Sequence, residues 1–168
     1  MKRNAYLTLL KWKSDKKRKP LLLQGGRQVG KTYLVEQFGK EEYANYIYLN
    51  FEQDNNLHDL FTGGLDPDVI LNNISLYWGK KILAENTLLF FDEVQIVPEV
   101  ITSLKYFYEQ APEYHIIAAG SLLGVTVGRH RSFPVGKVNF LTLYLMTFHE
   151  YLIASDEEML AEHLITHE

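Results

Sequence analysis

The 168-residue sequence predicts an α/β fold built on a mainly parallel five-stranded sheet. Three observations carry that expectation. Short runs of β-formers alternate with longer stretches whose apolar residues recur at helical spacing. Two of the runs, LLFF at 88–91 and HIIAA at 115–119, are almost unbroken apolar segments, as strands covered on both faces should be. The first run, LLLQ at 21–24, passes through a glycine pair straight into a helical pattern, the strand–turn–helix order of a parallel crossover unit.

Residues 4–12 can form a short amphipathic helix, with Leu7, Leu10 and Trp12 on its inner side. Residues 11–19 follow as a basic stretch (Lys11, Lys13, Lys16, Lys17, Arg18, Lys19), readable as a solvated connector ending at Pro20 or as a nucleic-acid patch. After the first strand, Lys31 to Phe38 reads as a helix stopped by Gly39. Residues 46–51 (YIYLNF) form a second strand, 54–60 a polar turn with a short helix, and 67–83 a helix with Asp66 as N-cap and Pro67 in its first turn. Val69, Ile70, Ile74, Leu76, Tyr77 and Ile82 are its apolar positions. The third strand ends in Asp92-Glu93, and Pro98 opens a helix to Gln110 whose inner side is Val100, Ile101, Leu104, Phe107 and Tyr108. The fourth strand ends in Gly120-Ser121. Residues 122–136 are irregular, 138–144 form a fifth strand, and Thr147 with Glu150 makes a capping box for the next helix. A last helix is expected over 157–163, and the helical pattern is still running where the sequence stops. One domain over 1–168 is expected, with 1–20 as its N-terminal helix and connector, and the chain reads as a fragment of a longer protein.

Residues 25–32, GGRQVGKT, match G-x-x-x-x-G-K-[ST]. Glycines at 25 and 30 let the backbone wrap closely round an anion. Successive N–H groups, with the N-terminus of the following helix, then form an anion-binding nest. Gly25, Gly26, Arg27, Gln28, Val29, Gly30, Lys31, Thr32 and Tyr33 are the expected nucleotide-binding residues. Lys31 would reach the β- and γ-phosphates, and the Thr32 hydroxyl would ligate Mg²⁺. In a parallel sheet, ligands bind beyond the carboxyl ends of the strands, which brings the Asp92-Glu93 pair to the same edge. Asp92 would join Thr32 in holding Mg²⁺, a hard cation that prefers oxygen ligands. Glu93 would act as general base toward water. Ser121, at the end of the next buried strand, would contact the γ-phosphate or that water; the competing reading is a helix cap or Ser-turn. Glu93, Lys31 and Ser121 are thus the candidate catalytic residues. The six histidines show no H-E-x-x-H pattern and are expected on the surface.

Composition narrows the classes. Hydrophobic residues make up 46% and charged residues 23%, ordinary for a globular protein. A formal net charge of −4 announces no global basic field. The absence of cysteine excludes disulfides, thiolate zinc sites and cysteine nucleophiles. No apolar run reaches membrane-spanning length and no secretory signal is present, so a cytoplasmic protein without a membrane partner is expected.

Taken together, RKPLLLQGGRQVGKTYLVEQFG, YLNFE, LLFFDEVQ, SLKYFYEQ, HIIAAGSLLGV and SFPVGKV followed by MTFHEYL resemble a prokaryotic family of AAA-type P-loop ATPases, whose AAA_14-like domain is usually followed by a DUF4143-type C-terminal region. The resemblance covers most of the chain. It implies ATP as ligand, a three-layer ASCE-type sandwich with strand order 5-1-4-3-2, and a glutamate beside the Walker B aspartate, which Glu93 matches. It also implies an arginine reaching a neighbour's γ-phosphate, for which Arg129 and Arg131 are the candidates, the alternative being two charged loop residues. Gly26 stands where such loops often carry alanine, and Leu145 where a proline is common. Three readings stand at this point: a Mg²⁺-dependent ATPase, a slow ATP/ADP switch acting through an unidentified protein partner or a homo-oligomer, and a DNA-associated module using residues 11–19.

Overall fold

A computed structural model describes residues 4–121, 134, 136–155, 157, 159, 160 and 163. In chain order the elements are α1 (Asn4–Ser14), β1 (Leu21–Gln24), α2 (Lys31–Glu42), β2 (Asn45–Asn50), a 3₁₀ turn (Asn55–Phe61), α3 (Pro67–Trp78), β3 (Thr87–Asp92), a 3₁₀ turn (Val94–Ile96), α4 (Pro98–Gln110), β4 (His115–Gly120), β5 (Asn139–Thr142) and α5 (Phe148–Ala154). The five strands form one sheet ordered β2-β3-β4-β1-β5, which read from the other edge is 5-1-4-3-2. All four pairings are parallel. Every expected strand is present.

Alternation along the central strands divides the core into two layers. Leu22, Leu89, Phe91, Ile116 and Ala118 face α3, α4 and the first 3₁₀ turn. Leu21, Leu23, Leu88, Phe90, Ile117 and Ala119 face α1 and α2. The result is the three-layer sandwich, and the continuous burial of β3 and β4 explains why both read as unbroken apolar runs. Register sets the functional edge: Asn50 lies beside Asp92, Asp92 beside Ala119, and Gln24 beside Gly120.

Several local expectations need correction. Gly39 does not stop α2, which runs on to Glu42. It is there for space, because an added Cβ would lie 2.8 Å from Cε2 and 3.0 Å from Cγ of the Tyr46 ring. Leu7 is 60% exposed, and Leu9 with Trp12 supplies the buried side of α1. α3 ends at Trp78 rather than near 83, with Gly79 in the left-handed conformation at its C-cap. Its inner residues are Ile70, Leu71 and Ile74, while Val69, Leu76 and Tyr77 are exposed. His115 is 5% exposed rather than on the surface. The Asp66 N-cap and the Thr147–Glu150 capping box both form as expected. Of the helix expected over 157–163, residues 159, 160 and 163 are helical, while 158, 161 and 162 lie outside the described residues.

Half of the basic stretch is tied into the fold. Lys13 donates to Glu42 and lies over the Tyr43 ring. Arg18 donates to the carbonyls of Lys13 and Pro112, and Lys19 to that of Gly136. Lys11, Lys16 and Lys17 are left exposed. Among the described residues, no helix is long and apolar enough to cross a membrane.

Candidate functional site

β1 ends at Gln24, and the chain turns through residues 25–30 into α2. Gly25 sits so close to β5 that an added Cβ would fall on the Leu143 carbonyl oxygen. The loop then takes positive φ at Gln28 (61°) and at Gly30 (91°), the second position being the N-cap of α2. No side chain caps this helix, so its first N–H groups remain available to an anion.

Lys31 is 6% exposed, and its ammonium donates to the carbonyls of Gly25 (3.0 Å) and Gly26 (2.7 Å). The cation is thereby held across the mouth of its own loop. Burial lowers its pKa, and the nearby carboxylates of Glu93 and Asp92 oppose that shift.

The P-loop and the end of β3 meet directly, although β4 lies between β1 and β3. The Thr32 hydroxyl donates to Asp92 Oδ2 at 2.8 Å. Tyr48 donates to the same oxygen at 3.1 Å, and the Glu93 N–H donates to Oδ1 at 3.0 Å. Asn50 donates in turn to the Tyr48 hydroxyl at 2.9 Å. Asp92 is 2% exposed. Burial raises its pKa; the Glu93 charge adds to the rise, and the three donors from Thr32, Tyr48 and the Glu93 backbone oppose it. Burial also pushes the Tyr48 hydroxyl up to about 12, so it stays a donor at neutral pH. An alcohol and a carboxylate meeting at one point form an all-oxygen pair, a donor set that fits Mg²⁺ completed by phosphate oxygens and water. Among the described residues, no cluster of three or more His, Cys, Asp or Glu offers another metal site.

A cleft of about 370 Å³ lies at this edge, bounded by Arg27, Gln28, Gly30, Lys31, Thr32 and Tyr33 of the loop and helix start, with Glu93 and Ser121 opposite. Gly25, Gly26 and Val29 face an adjoining, more apolar cavity of about 520 Å³ completed by residues 142–145, and Arg27 borders both. The sequence-predicted residues are therefore brought together on one edge, with Asp92 buried behind the cleft. Arg129 and Arg131 lie outside the described residues. Sequence reasoning missed Tyr48, Asn50 and Gln95. The first two share one face of β2 in the alternation Tyr46, Tyr48, Asn50, but only the pairing of β2 with β3 shows what that face meets.

The model of a family of AAA domains, AAA_14, matches residues 17–152. Among solved structures, the chain resembles the Walker-type ATPase PABY2304 of Pyrococcus abyssi at 18% identity and a TM-score of 0.56, covering 94% of this chain and 58% of that one. It also resembles the Drosophila ORC bound to DNA (16%, 0.59, covering 97% and 48%) and AMPPCP-bound DnaA from Aquifex aeolicus (17%, 0.53, covering 96% and 55%). At these identities the likeness establishes the fold, and the chain spans about half the length of the proteins it matches. No curated protein matches the sequence.

Proposed function

The chain belongs to the AAA_14 family of AAA domains, and from that premise we propose that residues 1–168 form one ATP-binding domain that hydrolyses the γ-phosphate in a Mg²⁺-dependent reaction. The observation that carries this reading is the 2.8 Å hydrogen bond from Thr32 to Asp92, which joins the phosphate-binding loop to the acidic end of β3. The carboxylate that receives it ends β3, buried at the ligand edge with its pKa raised, the kind of environment in which functional groups cluster.

The uncapped N-terminus of α2 and the loop amides bind the β- and γ-phosphates, with Lys31 exchanging its contacts to Gly25 and Gly26 for phosphate oxygens. Thr32 and Asp92 hold Mg²⁺, which when bound neutralises phosphate charge. Glu93 accepts a proton from water as the water oxygen attacks the γ-phosphorus. The bond from phosphorus to the β–γ bridging oxygen breaks, and ADP and phosphate leave. Ser121 hydrogen-bonds the γ-phosphate or the water. Tyr48, backed by Asn50, fixes the Asp92 carboxylate from behind.

The test is MgATP turnover by the parent chain and by Glu93→Gln. The variant should bind nucleotide normally and lose roughly 10²- to 10⁴-fold in rate. Equal rates in the two would remove Glu93 from the mechanism.

A further inference from the structure

We propose that Gln95 is a positioning residue for Glu93: it holds one carboxylate oxygen so that the other is presented to the attacking water. The inference rests on the reading of Glu93 as general base and adds a residue to it. Gln95 Nε2 donates to Glu93 Oε2 at 2.5 Å. Among the described residues no hydrogen bond is made to Oε1. Glu93 borders the cleft, whereas Gln95 is not among the residues lining it, so the amide acts through the carboxylate and not on a ligand.

The backbone is bent at this contact. Glu93 adopts φ 55° and ψ 41°, a left-handed conformation that a residue with a Cβ seldom takes. It opens the 3₁₀ turn Val94–Ile96, closed by the Ile96 N–H on the Glu93 carbonyl at 3.1 Å, and the tight turn brings the side chain at 95 back over the one at 93. The amide is also kept in a costly state. A carboxylate must be met by the NH₂ end of glutamine, and the other end, Oε1, is then buried without a partner. Backbone strain and an unsatisfied acceptor therefore occur together at one side-chain pair, whose product is a glutamate held at one oxygen. A general base needs this arrangement: a fixed position and a lone pair still free.

The experiment measures MgATP turnover, fluorescent-nucleotide affinity and melting temperature for the parent, Gln95→Met and Gln95→Asn, with Glu93→Gln alongside. Methionine keeps the length without the amide, and asparagine withdraws the amide by one methylene. Both should lower kcat by about 10- to 100-fold with KM and nucleotide affinity within twofold of the parent. The melting temperature of Gln95→Met should be equal or higher, since the orphaned oxygen is gone. Parental kcat in Gln95→Met beside an inactive Glu93→Gln overturns the proposal and leaves the base assignment standing. A joint fall of kcat, affinity and melting temperature in both variants makes Gln95 a structural residue and also overturns it. Parental turnover in Glu93→Gln overturns the base assignment and this proposal with it.

Discussion

Replacing Asp92 with Asn should separate stability from function at one buried position. The carboxylate is 2% exposed, and burial raises its pKa. A carboxyl whose folded pKa lies above its unfolded value contributes stability that is present at low pH and lost as pH rises through the folded pKa. At neutral pH its charge therefore costs the nucleotide-free fold something, which Asn avoids. Against that, Oδ2 accepts from both Thr32 and Tyr48 while Oδ1 accepts from the Glu93 N–H. Asn can keep the first pair only by turning its NH₂ toward the N–H, losing one hydrogen bond worth about 0.5–1.5 kcal/mol. The two effects oppose each other, so without nucleotide the variant should melt within about 4 °C of the parent. With ATP at a hundred times its dissociation constant, the parent gains about 2.7 kcal/mol. For a chain of this size that is roughly 5 to 11 °C. Thermal-shift measurements with ATP plus Mg²⁺, and with ATP plus EDTA, read the difference. The parent's gain should depend on Mg²⁺, and the gain of Asp92→Asn should be small and the same in both. A nucleotide-free variant melting more than about 10 °C low would make Asp92 a structural residue. A Mg²⁺-dependent gain that survives in the variant would take the metal away from Asp92.

Gly39→Ala should destabilise by about 1–2 kcal/mol in urea unfolding, although alanine is the better helix former by about 1 kcal/mol, because the new methyl meets the Tyr46 ring. In a Tyr46→Ala background the same change should be stabilising; destabilisation there would mean that the ring is not the obstacle. His115, which accepts or donates at 2.6 Å to the Tyr43 hydroxyl, has its pKa lowered to about 4 by burial and, secondarily, by Arg18 and Lys13. The unfolded chain then binds the extra proton first, so stability is fully present above pH 6.5 and is lost as pH falls toward 4, by about 2 kcal/mol between pH 7.5 and 5. His115→Gln should flatten that dependence, and an unchanged slope would assign it to other groups.

The parts of the molecule legible in the sequence are those whose signal is local. LLFFDE announces itself because β3 is buried on both faces and stops at the ligand edge. GGRQVGKT does so because loop geometry and phosphate chemistry both act within eight residues. Gly39 misleads for the opposite reason. A glycine in a helical pattern reads as a stop, and its purpose, room for Tyr46, is visible only once α2 packs on β2. Leu7 and Leu9 exchange places because α1 is short and weakly amphipathic, so spacing alone does not fix its rotation on the sheet. Around the site, Thr32 and Asp92 come from motifs, whereas Tyr48 and Asn50 acquire meaning from strand register and Gln95 from the left-handed turn at Glu93.

The most direct test of the nucleotide site is equilibrium binding of a fluorescent ATP analogue, followed by anisotropy, to the parent and to Lys31→Ala. Lys31 is the mobile cation of the loop, and its two present contacts are carbonyls that need no charge to fold around. The variant should remain folded and bind at least about tenfold more weakly, a difference of about 1.4 kcal/mol. Saturable binding of equal affinity in the two proteins, or no saturable binding by the parent, would contradict the assignment of residues 25–32 as the site that holds the phosphates.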